Sequence, residues 1–176
     1  VDLLSQDKVS LGAFAGDREG VIDLLIALQR RSGALSDPAA FRRAILAREA
    51  QGSTAVEGGI AVPHAKSESV RNPSLAACVL QKGVDYGAMD QKPSDLFFMI
   101  AAPADGDLHL EILSHLMVLL MDPAFSQQLR QAPDAAAFLK TIDRFETEKF
   151  GEQTKSDAKR RGARILAVTA CPTGIA

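Results

Sequence analysis

Residues 58–68 read Gly58-Gly59-Ile60-Ala61-Val62-Pro63-His64-Ala65-Lys66-Ser67-Glu68, and the succession of residue types decides how this part of the chain must run. Two glycines free the backbone for a turn, and a short apolar run with the character of a buried strand follows. Pro63 then fixes φ and withdraws an N–H from any ladder. The strand is therefore expected to end at Val62 and to hand His64 to the surface at its exit. Imidazole has an ordinary pKa that leaves a neutral fraction near pH 7, so one ring nitrogen can attack while the other is oriented by a hydrogen bond. His64 is the leading candidate for a nucleophile.

On either side of this stretch, helical and strand patterns alternate. Strands are expected at 60–62, 75–80 and 96–101, with a weaker one over 83–87 between turn residues. Upstream, Val21, Ile22, Leu24, Leu25 and Leu28 recur at helical spacing behind Asp17-Arg18-Glu19, and Ser32-Gly33 closes the segment. A second helix is expected over 38–49, with Pro38 in its first turn and Arg48 in its last. Downstream, a helix over 108–121 begins behind Asp107 as N-cap, a short one starts at Pro123, and another spans 133–144. Helices separated by strands predict an α/β fold, a sandwich of a mixed β-sheet flanked by helices.

Composition narrows the class further. The 176 residues are 47% hydrophobic and 24% charged with a net charge of −2, enough for one good core plus a tail and without the basic excess that nucleic acid requires. The longest apolar stretch, 112–121, is interrupted by Ser114 and His115 and is too short to span a bilayer; the start, Val1-Asp2, lacks the pattern of a signal sequence. Two cysteines, Cys78 and Cys171, assemble neither a disulfide framework nor a zinc site. A reducing, cytoplasmic location is expected.

The string G-I-A-V-P-H-A over 59–65 resembles the phosphorylation site of the fructose/mannitol-type enzyme IIA domains of the bacterial sugar phosphotransferase system. Ala47-Arg48-Glu49 lies sixteen residues before His64 and Asp107-Leu108-His109-Leu110-Glu111-Ile112-Leu113 forty-five after it, near where that family carries an arginine and a second histidine. Three matches in order cover roughly residues 5 to 145. The resemblance implies that His64 accepts and donates a phosphoryl group, that His109 stabilises it, and that Arg48 neutralises its charge with a planar guanidinium. It also implies a phosphocarrier protein with a reactive histidine as donor, a cysteine of an enzyme IIB domain as acceptor, an imported sugar, fructose first, as final substrate, and no metal or organic cofactor. Blander readings stand beside these roles: Arg48 as a cation at a helix C-terminus, His109 as a surface histidine in a first turn. His115 is rotated well away from His109 and reads as a packing or surface residue. Ser53, Thr54, Lys66 and Glu68 are polar neighbours with no assigned role. Ala55 stands where many relatives have a second glycine after the threonine, a departure that touches the loop and not the histidine.

From 146 to 163 the chain turns polar and reads as a linker. Residues 164–170 then look like a buried first strand, and Cys171-Pro172-Thr173-Gly174-Ile175-Ala176 resembles the phosphate-binding loop that opens a fructose-type enzyme IIB domain. A strand and half a loop cannot form a core, so the expected division is an enzyme IIA domain over 1–145, a linker over 146–163 and the truncated start of a IIB domain over 164–176. In such a fragment Cys171 is an ordinary thiol. Two other functions compete. A nitrogen-type regulatory IIA shares the histidine site but has no reason to continue into a IIB loop. A binding or metal domain would use His64 and His109 as ligands, yet no histidine pair at helical ligand spacing occurs.

Overall fold

The structure is a computed structural model and describes residues 3–161, with side chains as far as Gly151. After a 3-10 turn at Gln6–Lys8 the chain forms β1 (Val9–Ala13), α1 (Arg18–Arg31), α2 (Pro38–Ala50), β2 (Ala55–Val56), β3 (Ile60–Ala61), β4 (His64–Ser67), β5 (Ser74–Val84), β6 (Ser94–Pro103), α3 (Leu108–Leu120), α4 (Pro123–Arg130) and α5 (Ala135–Arg161). The α/β class and the mixed sheet expected from the pattern are both present. Antiparallel β5 and β6 form the centre, and β1 lies parallel on the far side of β5. Beyond β6, β3 runs parallel opposite Leu96 and Phe97, β4 runs parallel opposite residues 100–103, and β2 closes the edge antiparallel to β3.

This pairing corrects the expectation that His64 leaves the sheet. β3 and β4 are two segments of one edge strand along β6, broken at Val62-Pro63, and His64 opens the second segment in register with Ile100. Pro63 has no N–H to donate, yet its carbonyl still accepts the Ile100 N–H at 2.9 Å, so the ladder resumes one residue later.

The sheet is covered on both faces, which explains the near-continuous apolar runs of its central strands. Leu75, Ala77 and Val79 of β5 and Leu96, Phe98 and Ile100 of β6 pack with Ile112, Phe125 and Phe138 of the C-terminal helices. The alternate residues Ala76, Cys78 and Leu80, with Phe97, Met99 and Ala101, pack with Val21, Ile22, Leu25, Phe41 and Ile45 of α1 and α2. Period-two alternation thus divides one sheet between two helical layers.

Helix starts follow short acidic caps. Asp17 accepts the Gly20 N–H at 2.8 Å, Asp37 the Ala40 N–H at 3.0 Å and Asp122 the Ala124 N–H at 3.0 Å, with Pro38 and Pro123 in the first turns behind the last two. Three strands escaped the reading of the sequence, β1, β2 and β4, because each is short or edge-placed. Of the weak strand expected at 83–87 only residues 83 and 84 are strand, and they are the end of β5, which reaches Val84.

A second correction concerns residues 146–161. Helix α5 does not stop near 144 but continues to Arg161, through most of the segment read as a linker. Phe138, Leu139, Ile142 and Phe145 recur at helical spacing on its buried side, Glu146 is 3% exposed, and Phe150 packs against the same core. Residues 164–176, including Cys171 and its loop, lie outside the described residues.

Candidate functional site

The turn that leads to His64 is built by its glycines. Gly58 and Gly59 have φ of +86° and +76°, the left-handed region, and join β2 to β3. A Cβ on Gly59 would lie 3.1 Å from Arg130 Nη2 and 3.2 Å from both Asp95 Oδ1 and the Pro93 carbonyl. Arg130 closes over this turn, its Nη2 donating to the Gly58 carbonyl at 2.6 Å and its Nε to Asp95 Oδ1 at 3.0 Å.

His64 is half-buried, and its Nδ1 lies 2.8 Å from the Val62 carbonyl oxygen. A carbonyl can only accept, so in the neutral ring Nδ1 carries the proton and Nε2 presents its lone pair. Strand alternation then sorts its neighbours. Ala65 is buried with the α1–α2 layer, so His64 and Lys66 share the opposite face, toward α3.

His109 stands in the first turn of α3, and its Nδ1 is buried without a hydrogen-bond partner. Burial holds its pKa below the ordinary 6.5, and the positive charges of Lys66 and of His64 push it the same way while Asp107 opposes them. The two histidines and Lys66 therefore share one electrostatic neighbourhood. Asp107 occupies the N-cap position of α3, but its carboxylate makes no capping bond; Oδ1 lies 3.8 Å from Lys66 Nζ instead. That partial neutralisation leaves Lys66 anchored beside the site. The period-two spacing from His64 was the signal that could have raised Lys66 above an ordinary turn residue.

Arg48 comes from the other helical layer. Its Nη1 donates to the Gly52 carbonyl at 2.9 Å, four residues ahead, which ties the end of α2 to the loop before β2. In that loop the Ser53 hydroxyl donates to the Tyr86 carbonyl and accepts the Ala55 N–H at 3.1 Å. Thr54 is buried and its carbonyl accepts the Val62 N–H at 3.1 Å. Ser53 and Thr54 are thus scaffold for the strand that carries His64, while Glu68 is exposed beyond it. His115 contributes to packing: its ring stacks on Phe150 at 3.8 Å, and Nε2 lies 3.2 Å from Glu146 Oε1.

Among the described residues Cys78 is a free cysteine, buried in β5, where burial pushes its thiol up to about 12 and removes it from nucleophilic chemistry. No group of three or more histidine, cysteine or carboxylate side chains that could hold a metal is gathered among the described residues.

Residues 2–145 match the family described as "Phosphoenolpyruvate-dependent sugar phosphotransferase system, EIIA 2". The chain belongs to that family. EIIA components are phosphotransferases that relay a phosphoryl group through a phosphohistidine. The chain is 41% identical over 179 residues to a "PTS system fructose-specific EIIABC component" of Bacillus subtilis, covering 99% of this chain but 28% of that protein. It is 39% identical over 127 residues to a "PTS system fructose-specific EIIA component" of Haloferax volcanii, covering 72% of this chain and 82% of that one. Its fold resembles the nitrogen regulatory protein IIA-Ntr of Neisseria meningitidis with a TM-score of 0.73 at 25% identity, covering 82% and 97% of the two chains. As an EIIA domain the chain spans little more than a quarter of the Bacillus relative. Among the described residues no single helix is long and apolar enough to cross a membrane.

Proposed function

We propose that His64 is the phosphoryl acceptor and donor of this EIIA domain, and that Nε2 is the reacting atom. The observation that carries this reading is the 2.8 Å contact between His64 Nδ1 and the Val62 carbonyl, which orients the ring and leaves Nε2 unprotonated. In the first step the Nε2 lone pair forms a bond to phosphorus as the nitrogen–phosphorus bond of a phosphohistidine on a small phosphocarrier protein breaks. The carrier imidazole leaves with the electron pair. The transition state is loose and in line, with charge spread over three equatorial oxygens, so catalysis is positioning and charge stabilisation. His109 supplies a hydrogen bond and Arg48 a bidentate cation once its contact to Gly52 is exchanged for phosphoryl oxygens. In the second step a cysteine thiolate of a IIB domain attacks the phosphorus, and His64 leaves with its electron pair and its Nδ1 proton in place.

The extent of the likeness to the Bacillus fructose-specific protein supports sugar uptake, with fructose as the favoured sugar, in a cytoplasmic domain of a transporter. In this reading residues 1–145 are the EIIA domain, and in a longer polypeptide that completes the IIB domain Cys171, beyond the described residues, would be the acceptor cysteine. The likeness to IIA-Ntr keeps a regulatory relay as the second reading. Incubation with phosphoenolpyruvate, enzyme I and the phosphocarrier, followed by tandem mass spectrometry, tests the assignment: label on His64 Nε2 supports it, and label that survives in His64→Ala overturns it. Transfer onward to a sugar-specific IIB, absent for the regulatory alternative, separates the two readings.

A further inference from the structure

Glu49 does not touch the reacting imidazole, yet it is bonded to the segment that holds that imidazole in place. It sits at the end of α2 beside Arg48 and is 4% exposed. Three donors converge on its carboxylate: the Thr54 N–H on Oε2 at 3.0 Å, the Thr54 hydroxyl on Oε1, and the Tyr86 hydroxyl on Oε1 at 3.1 Å. A carboxylate is an acceptor only, so all three contacts are satisfied by the ionised form. Beyond Thr54 the bonding continues. The Thr54 carbonyl takes the Val62 N–H at 3.1 Å, and the Val62 carbonyl faces His64 Nδ1 at 2.8 Å.

We propose that Glu49 is a positioning residue for His64: through Thr54, whose carbonyl holds the Val62 N–H, it fixes the backbone of Val62, and the Val62 carbonyl on the next peptide fixes the ring orientation and the tautomer that exposes Nε2. The inference rests on the reading of His64 as phosphoryl acceptor. A buried carboxylate is costly, and an apolar residue of similar volume would often serve stability as well or better. Here the donors it collects belong to the segment that carries the Val62 acceptor and to Tyr86, whose own carbonyl holds Ser53. Burial, and secondarily the Glu49 charge, push the Tyr86 hydroxyl far above its ordinary range, so it remains a proton donor at every working pH.

Glu49→Gln keeps the shape and turns one acceptor atom into a donor that opposes the donors around it. The readout is the pair of ring nitrogen shifts of His64 in the unphosphorylated 176-residue chain, together with the single-turnover rate of phosphoryl uptake from the phosphocarrier. Wild type is expected to show one tautomer with Nδ1–H. The variant is expected to show a mixture and a maximal uptake rate lower by about 10-fold or more, with the half-saturating carrier concentration unchanged, because misplacing a reacting group costs rate and not binding. A variant with a lower thermal midpoint but the wild-type tautomer and maximal rate would make Glu49 a structural residue only and overturn the proposal. If Glu49→Gln does not fold, Thr54→Val and Tyr86→Phe each remove one donor from the carboxylate; tautomer mixing in either supports the proposal, and a pure Nδ1–H tautomer in both overturns it. The tautomer is read without any phosphoryl transfer. Failure of wild type to label on His64 would therefore remove the function assigned to the ring while leaving the role of Glu49 to be decided by the shifts.

Discussion

Replacing His109 tests the charge-stabilising half of the site. Its Nδ1 is buried and unpartnered in the resting protein, so the ring has already lost water that no protein group replaces. An unmet buried polar group costs about 1–3 kcal/mol, and a hydrogen bond to a charged group returns about 1.5–3 kcal/mol. At about 1.4 kcal/mol per tenfold in rate, loss of that bond in His109→Ala slows phosphoryl transfer by roughly 10- to 150-fold. The variant still accepts phosphate, because His64 and its Val62 contact are untouched. The assay is rapid quench with labelled phosphocarrier, run in both directions. Rates within twofold of wild type, or phosphate found on His109 itself, would refute the assigned role. The pH dependence gives a second check. The folded-state pKa of His109 lies below its ordinary 6.5, chiefly through burial and next through Lys66 and His64. As pH falls through 6.5 the unfolded chain takes up a proton that the folded chain resists, so the contribution of His109 to stability is present above 6.5 and is lost below it. His109→Gln should flatten the fall of thermal midpoint between pH 7 and 5.5.

His64→Ala should abolish labelling while costing only the ~0.5–1.5 kcal/mol of one hydrogen bond, visible as a nearly unchanged melting curve. Gly59→Ala places a side chain at φ +76° against Arg130, Asp95 and Pro93; it should destabilise by at least the ~1–2 kcal/mol of left-handed backbone and lower the thermal midpoint by about 2–4 °C per kcal/mol. Lys66→Met should slow transfer and raise the pKa of His109, since a positive charge that depresses it is gone; an unchanged His109 titration curve would contradict the shared electrostatics. Truncation after Phe145 should lower the midpoint by several degrees, because it removes the stack of His115 on Phe150, worth about 0.5–1.5 kcal/mol by itself, and the contacts of Glu146 and of Lys149 with Asp122.

What the sequence revealed of the site depended on whether the signal was local. The Gly58-Gly59 turn and the proline before His64 act through their own backbones, so their effect could be read from residue type alone. The pairing that places His64 opposite Ile100 could not, because whether a strand resumes after a proline depends on the neighbour, here β6 with an N–H waiting for the Pro63 carbonyl. Arg48 was legible as a helix-end cation, but its partner, the Gly52 carbonyl, is a choice made by loop geometry. Asp107 was read as a cap from its place before an apolar run, and the carboxylate turned instead toward Lys66, a residue forty-one positions away that only the sheet brings near.

Helix α5 shows the same limit from the other side. Its later residues, rich in glutamate, lysine, glutamine and arginine, lack apolar content and were read as a linker, yet those residue types are strong helix formers once a helix has been nucleated. Nucleation here is tertiary: Phe138, Leu139, Ile142 and Phe145 dock on the core shared with α3 and α4, and each further residue then adds one backbone bond at little cost. The helix consequently reaches past the last apolar residue of its stripe and carries Glu146 and Phe150 to His115, on the same helix that presents His109. Polar composition alone therefore does not mark a boundary where a docked helix leads into it. A lower midpoint on removal of 146–176, with His64 labelling retained, would separate the mechanical contribution of this extension from the chemistry of the site.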